Sequence, residues 1–212
     1  MKSMHIKRLS DLIISTVTLL VLSPLLLLIG VIVRAESPGP AVYKQTRVGK
    51  SGRPFTLFKF RSMSVSRAGG PEFTPGQTAR VTRFGRILRK SKLDELPQLW
   101  NVLVGDMSIV GPRPEVPAWT KVYPERWEIV LSVRPGITDP ASIVFRDEEE
   151  ILAAAADPDE CYRHEILPRK LDLATEYAIH RTLLGDLKIA MQTVLAVLRP
   201  PRLESAPDEV DR

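Results

Sequence analysis

Two adjacent acids, Asp94 and Glu95, are the residues of this chain with the clearest capacity for chemistry. They follow Ser91 in a capping-box-like pattern, so we expect them in the first turn of a helix over residues 93–104 that Gly105 closes. The helix dipole and free N–H groups there keep a carboxylate ionised, as a nucleophile or a Mg²⁺ ligand requires. Adjacent helical side chains point about 100° apart, so the two acids should have different roles. From the residues alone, ordinary capping acids remain an open alternative.

Several cations on separate predicted elements could converge on these acids. The guanidinium of Arg113 is the best suited to phosphate, because the flanking prolines restrict the backbone and a planar guanidinium binds phosphate through two hydrogen bonds. The alternative is a solvated basic face attracted to anionic lipid. The candidate phosphate-binding group comprises Lys59, Arg61, Arg89, Arg113 and its neighbours Pro112 and Pro114.

Other polar residues carry weaker signals. Asn101 and Asp106 lie at the far end of the same predicted helix, where capping or turn roles are their default, and we group them with the candidate substrate-binding residues. The three histidines are too scattered for a recognisable metal spacing. The single Cys161 excludes an intrachain disulfide and a multi-cysteine metal site.

The charge balance points to an anionic partner. The 212 residues carry 30 Lys and Arg against 25 Asp and Glu, a net charge of +5. Such an excess suits phospholipid headgroups, a phosphorylated substrate or nucleic acid. Aromatic residues make up only 6% and no nucleic-acid-binding motif is present, so nucleic acid is not expected as a partner.

An apolar run over residues 12–33 is long enough to cross a bilayer, which needs about 20 residues. Ser23-Pro24 interrupts it, and proline kinks or breaks a helix because it lacks an N–H and clashes with the preceding turn. Basic residues flank the run on both sides, although Lys and Arg prefer the cytoplasmic side of a membrane. A helix broken at Ser23-Pro24 that enters one leaflet and returns satisfies both flanks, whereas an ordinary kinked transmembrane helix is the alternative. The run is too long for a cleaved signal peptide.

The remaining elements predict a mainly α-helical chain with one small β-hairpin, an α+β fold. The hairpin strands are expected at residues 41–48 and 54–60, followed by a Gly- and Pro-rich loop at residues 67–77. We expect a basic helix at 81–90, a loop at 134–138 and a polar disordered tail at 201–212. Further helices are expected at residues 119–133, 148–156, 159–181 and 183–198. The layout is thus a membrane helix over 1–36, a catalytic domain over 37–200 and the tail.

Several of these segments strongly resemble the bacterial sugar transferases, the monotopic phosphoglycosyl transferases. The resemblance runs from about Lys7 to Leu198, with the motifs in the family's order. The motif segments are KFRSM at 59–63, LDELPQLWNVL at 93–103, GDMSIVGPRP at 105–114 and RPGITDPAS at 134–142.

The resemblance implies transfer of a sugar-1-phosphate from a UDP-sugar to undecaprenyl phosphate with release of UMP, at a Mg²⁺-dependent site. It implies that Asp94 is the nucleophile and lies at the metal, and that Glu95 assists the metal or deprotonates the acceptor. Lys59, Arg89 and Arg113 match phosphate-binding positions. Ser23-Pro24 matches the family's helix break, which favours a re-entrant anchor in the bacterial inner membrane with the catalytic domain on the cytoplasmic face.

Two other functions remain open from the sequence. A non-catalytic membrane-anchored module would use the basic face to bind lipid or organise an assembly. A hydrolase would cleave UDP-sugars or lipid phosphates with water as the acceptor. The identity of the sugar and the oligomeric state, a homodimer included, are not legible from the motifs.

Overall fold

A computed structural model of the chain describes residues 2–64 and 80–198. The predicted loop at 67–77 and the predicted tail at 201–212 lie outside these ranges. The first half contains helix α1, the strands of a hairpin, two short helices and a third strand: α1 (Lys2–Glu36), β1 (Val42–Val48), β2 (Pro54–Phe60), α2 (Arg83–Lys90), α3 (Gln98–Val104) and β3 (Ser108–Val110). The second half contains α4 (Pro124–Val130), β4 (Gly136–Thr138), α5 (Pro140–Val144), α6 (Glu148–Ala154), α7 (Pro158–Cys161), α8 (Leu167–His180) and α9 (Leu183–Leu198).

The predicted hairpin is confirmed. Strands β1 and β2 pair antiparallel, with Val42 opposite Phe60 and Val48 opposite Pro54. A short 3₁₀ turn joins them, in which Ser51 has a φ of 58° and Gly52 one of 74°. The mainly helical character of the chain is confirmed as well.

The predicted helix over 93–104 is wrong in its first half. Ser91 ends α2 rather than starting a new helix, and its hydroxyl donates to the carbonyl of Ile87 at 2.8 Å. Lys92 then adopts a left-handed conformation with a φ of 56°, and a separate 3₁₀ turn, Leu93–Glu95, carries both acids. Helix α3 begins only after Pro97, because a proline cannot supply the N–H of a helix interior. Gly105 closes α3 with a φ of 98°, as expected.

The predicted loop at 134–138 contains a strand. Strand β4 pairs parallel with β3, with Ser108 opposite Gly136 and Val110 opposite Thr138. The two backbones approach so closely that a Cβ on Gly136 would lie 2.1 Å from the nitrogen of Gly111. Glycine is therefore required at this crossing, and the pair joins the third and fourth motif segments.

The predicted helix at 119–133 is also shorter than expected. A 3₁₀ turn, Trp119–Lys121, comes first, and Tyr123 is left-handed with a φ of 58° before Pro124 opens α4. Helices α4 and α8 bury the largest apolar cluster of the second half, which includes Trp127, Tyr162 and Leu171.

Helix α1 runs without interruption from Lys2 to Glu36, so the predicted break at Ser23-Pro24 is absent from the helix as described. Pro24 leaves the carbonyl four residues earlier, that of Leu20, without its N–H donor. The hydroxyl of Ser23 donates to that carbonyl at 2.8 Å. Ser23 thus supplies the hydrogen bond that Pro24 cannot make, which explains how the helix continues. The helix is long and apolar enough to cross a membrane.

One face of α1 packs on the rest of the chain near both of its ends. Near the start, Asp11 accepts hydrogen bonds from the Ser108 hydroxyl at 2.8 Å and the Ile109 N–H at 3.2 Å. Near the end, Ile29 and Val33 are 2% exposed and belong to a core with Phe60 and Leu88. The opposite face is apolar and exposed, and includes Ile6, Leu9, Ile13, Val17, Leu20, Val21, Leu27, Leu28 and Val31.

Candidate active site

Glu95 is the centre of a largely buried cluster of charges. Its carboxylate accepts two hydrogen bonds from the guanidinium of Arg113, at 2.5 Å to Oε1 and 3.3 Å to Oε2. Lys59 Nζ donates to the same Oε1 at 3.0 Å. The three residues come from strand β2, the 3₁₀ turn and the segment after β3. The structure therefore shows the predicted convergence of Lys59 and Arg113 on the acids.

The charges around Glu95 determine its ionisation. Burial alone acts to raise the pKa of Glu95, but the positive charges of Arg113 and Lys59 outweigh it and hold the pKa well below the ordinary 4.5. The same contact with Glu95 raises the pKa of Arg113. Glu95 is therefore an anion at neutral pH, and both of its oxygens already have donors.

Asp94 has a different environment although it is the next residue. Burial raises the pKa of its carboxyl, the charge of Lys59 opposes the rise, and repulsion from Glu95 adds to it. Its Oδ1 is buried and has no hydrogen-bond partner among the described residues. An ionised carboxylate oxygen with an unfilled hydrogen-bonding position is suited to bind a cation or attack an electrophile. The two acids therefore differ in environment because of their neighbours, and their different roles stay a prediction.

The segment 111–113 is fixed by its contacts with strand β4 and the residue after it. The N–H of Gly111 donates to Thr138 O and that of Gly136 to Pro112 O, each at 3.0 Å. The N–H of Arg113 donates to Asp139 Oδ2 at 3.1 Å. Hydrogen bonds to the segment 134–142 thus fix the backbone of residues 111–113.

Two predicted substrate-binding residues have structural partners instead. The guanidinium of Arg61 donates to the carbonyls of Val33, Ser37 and Pro38 at 2.6–3.1 Å, where α1 ends. Asn101 accepts from the Phe58 N–H at 3.2 Å and donates to Thr56 O at 2.7 Å, which ties α3 to β2. We therefore do not propose Arg61 or Asn101 as a substrate ligand.

Arg89, Asp106 and Pro114 form no hydrogen bond or ion pair with the two carboxylates among the described residues. Arg89 forms an ion pair with Glu149 of α6 at 3.0 Å. Asp106 follows Gly105 at the end of α3 opposite to the acids. The carbonyl of Pro114 accepts a hydrogen bond at 3.0 Å from Arg47, which makes it part of the support. Pro112 and Arg113 remain at the site.

A buried network behind Arg113 was not predicted from the sequence. Arg47 pairs with Glu115 at 3.1 Å, Tyr162 donates to the other Glu115 oxygen at 2.5 Å, and Lys170 contacts the Tyr162 hydroxyl at 3.2 Å. Burial lowers the pKa of Arg47. No local pattern marks these residues, because their partners are far apart in sequence.

Gln98 was also missed. It is 1% exposed, and its Nε2 has no hydrogen-bond partner within residues 2–64 and 80–198. An unpaired buried donor costs about 1–3 kcal/mol, so a polar partner absent from the protein chain would be expected to satisfy it. Its place in the DELPQLW segment, four residues after Asp94, was the available signal.

Comparison with known proteins identifies relatives along almost the whole chain. The family model described as bacterial sugar transferase matches residues 2–200. A protein of Caulobacter vibrioides named UDP-glucose:undecaprenyl-phosphate glucose-1-phosphate transferase is 38% identical over 91% of this chain and 69% of its own length. A Bacillus subtilis protein named putative undecaprenyl-phosphate N-acetylgalactosaminyl 1-phosphate transferase is 44% identical over 56% of this chain.

The relatives differ in length. The aligned region covers 66% of the Bacillus subtilis protein. It covers only 39% of an Escherichia coli protein named UDP-glucose:undecaprenyl-phosphate glucose-1-phosphate transferase, which is 38% identical over 89% of this chain. The names of these relatives differ in the sugar, although they share the lipid acceptor.

Proposed function

Because the chain belongs to the bacterial sugar transferase family, we propose that it transfers a sugar-1-phosphate from a UDP-sugar to undecaprenyl phosphate. The products are undecaprenyl-diphosphate-sugar and UMP, and the reaction would start assembly of a bacterial glycan. The observation that carries this proposal is the pair of adjacent acids in opposite environments: two cations hold Glu95, whereas Oδ1 of Asp94 has no partner in the part of the chain that the structure describes.

In the first step Asp94 is the nucleophile. One of its oxygens attacks the sugar-bearing phosphorus of the donor, and the bond from that phosphorus to the bridging oxygen breaks. UMP leaves with the bridging oxygen, and the phosphosugar remains on Asp94 as an acyl phosphate. The buried carboxylate is favoured as a nucleophile because it is poorly solvated and its Oδ1 accepts no hydrogen bond from the described residues.

In the second step a phosphate oxygen of undecaprenyl phosphate attacks the same phosphorus and Asp94 leaves as a carboxylate. Lys59 and Arg113 would stabilise the negative charge that builds up on the transferring phosphate, and support for this role comes from their position within 3.0 Å of Glu95, the neighbour of Asp94. Glu95 keeps these two cations in place. Since its oxygens are occupied by them, we assign it a positioning role in preference to proton abstraction.

The residues fit a Mg²⁺ ion in part. Asp94 offers an oxygen without a partner, which suits a cation that prefers carboxylate ligands and substrate phosphates. Glu95 offers no free oxygen in this arrangement. We therefore propose that Asp94 would be the protein ligand of Mg²⁺. A bound Mg²⁺ would neutralise part of the negative charge of the donor diphosphate.

The membrane partner is assigned to the exposed apolar face of α1. Each large apolar side chain moved from water into lipid gains about 1.5–3 kcal/mol. Both ends of α1 contact the same domain, through Asp11 at the start and Val33 at the end. Because α1 is unbroken, Asp11 and Val33 lie about 33 Å apart along its axis, close to the thickness of the bilayer core, so a helix upright in the membrane would draw the domain that holds both ends into the lipid. We therefore propose that α1 enters the cytoplasmic leaflet of the inner membrane and that both of its ends remain on the cytoplasmic side.

The test of function is UMP release by the purified protein in detergent, with a panel of UDP-sugars and Mg²⁺, with and without undecaprenyl phosphate. We expect catalytic UMP release that requires the lipid, and its loss in Asp94→Asn. Intact-mass measurement with donor alone should show one phosphosugar per chain, absent in the variant. UMP and sugar phosphate formed without the lipid would indicate a hydrolase, and no turnover together with no adduct would favour the non-catalytic module.

A further inference from the structure

We infer that Asp139 is a positioning residue that sets the place of the Arg113 guanidinium. Its carboxylate is divided between two elements. Oδ1 accepts from the Ser142 N–H at 2.7 Å and the Ser142 hydroxyl at 2.5 Å, at the start of α5. Oδ2 accepts from the Arg113 N–H at 3.1 Å. The residue is 1% exposed, so water does not replace either contact.

The division of the two oxygens gives Asp139 a function beyond capping. A helix cap needs a single acceptor, which Oδ1 supplies. The second oxygen holds the backbone of Arg113 between Pro112 and Pro114, whose rings already restrict the chain. With the backbone fixed at this point, the guanidinium reaches both oxygens of Glu95. Loss of this single hydrogen bond should therefore move Arg113 without unfolding α5.

Asp139→Asn separates the two roles. Asparagine is as good a helix cap as aspartate, so its oxygen keeps the bond to Ser142. The amide nitrogen is a donor and cannot accept from the Arg113 N–H. The matched control is Asp157→Asn, because Asp157 caps α7 through the N–H groups of Asp159 and Glu160 and has no role at the site.

The first measurement needs no enzymatic activity. Phenylglyoxal modifies arginine side chains, and mass spectrometry of the full-length protein in detergent gives the rate at Arg113. We expect Asp139→Asn to accelerate modification of Arg113 severalfold, because its contact with Glu95 loosens, while Asp157→Asn leaves the rate unchanged. An unchanged rate in Asp139→Asn overturns the inference.

The second measurement is UMP release and rests on the proposed function. A displacement of about 1 Å in a catalytic group can cost 100-fold, so we expect a 10- to 100-fold lower kcat in Asp139→Asn and wild-type kcat in Asp157→Asn. In an Arg113→Lys background the same substitution should have little further effect, because no guanidinium remains to be placed. Fully multiplicative losses would show a general structural role and overturn the inference. If wild-type protein releases no UMP, the transferase proposal fails while the modification rates still decide the role of Asp139.

Discussion

Replacement of each acid by its amide should change stability in opposite directions at neutral pH. In Glu95→Gln, two cations lose the charge that compensates them, and breaking a buried ion pair from one side costs about 3–5 kcal/mol. The Arg113 side chain is 32% exposed and that of Lys59 19%, so water recovers part of this cost. We expect the lower value, about 3 kcal/mol, which for a chain of this size lowers Tm by about 6–12 °C.

Asp94→Asn should be stabilising. The Asp94 carboxylate is buried, its Oδ1 has no partner within residues 2–64 and 80–198, and an unsatisfied buried polar group costs about 1–3 kcal/mol. Removal of the charge relieves part of this cost and the repulsion from Glu95 as well. We expect a gain of about 1 kcal/mol, or a Tm higher by about 2–4 °C, with activity lost.

The assay is thermal unfolding of each variant in one detergent, followed by tryptophan fluorescence. Glu149→Gln is the control, because Glu149 is 60% exposed in its pair with Arg89 and should matter by less than about 1 kcal/mol. A shift of the same sign for both acids, or a Glu95→Gln effect no larger than that of the control, would refute the electrostatic assignment of the site.

Three further expectations concern pH, close packing and the membrane helix. Burial raises the pKa of Asp94 in the folded protein, so its ionised carboxylate lowers stability above that raised pKa, and the effect is absent below the ordinary pKa of 3.8. The Tm gain of Asp94→Asn should therefore shrink as the pH falls toward 3.8. A Tm gain that stays constant with pH contradicts this. Gly136→Ala should abolish activity and lower expression, because the added Cβ would lie 2.1 Å from backbone. In the control Gly30→Ala the nearest contact is at 3.9 Å, so its Tm should equal that of the wild type. Equal effects of the two substitutions contradict this. Ser23→Ala should lower Tm in lipid nanodiscs by an amount equivalent to about 1 kcal/mol, because the Leu20 carbonyl loses its donor. In a Pro24→Ala background the backbone N–H is restored, so the same substitution should no longer lower Tm. A loss of Tm in both backgrounds contradicts this.

The sequence predicted which residue types lie at the site and approximately where they lie. It did not predict which residues they contact. Asp94 and Glu95 were identified from their adjacency, and Arg113 from the prolines beside it. What separates the environments of the two acids is the contact of Glu95 with Lys59 and Arg113, which lie 36 and 18 positions away in the chain. Periodicity carries no information on contacts of that separation.

The sequence does not show the structural partners of the other candidate residues. Asn101 has an amide that can serve substrate or backbone equally well, and only the position of β2 beside α3 shows that it serves backbone. Strand β4 was missed because three residues are too short for an alternating pattern, and its Gly136 is typical of a turn. In both cases the deciding factor is a neighbour supplied by the tertiary fold.

The contacts at both ends of α1 mean that this helix, the proposed membrane anchor, is not a detachable module. Arg8 donates to the carbonyls of Val102 and Leu103 at 2.6 and 3.0 Å, in the last turn of α3. At the other end, Arg61 would have no carbonyl of Val33 to bind if the helix were removed. A version truncated for solubility would therefore expose core residues and helix ends together, and an anchor exchanged between relatives would have to bring its matching contacts with it.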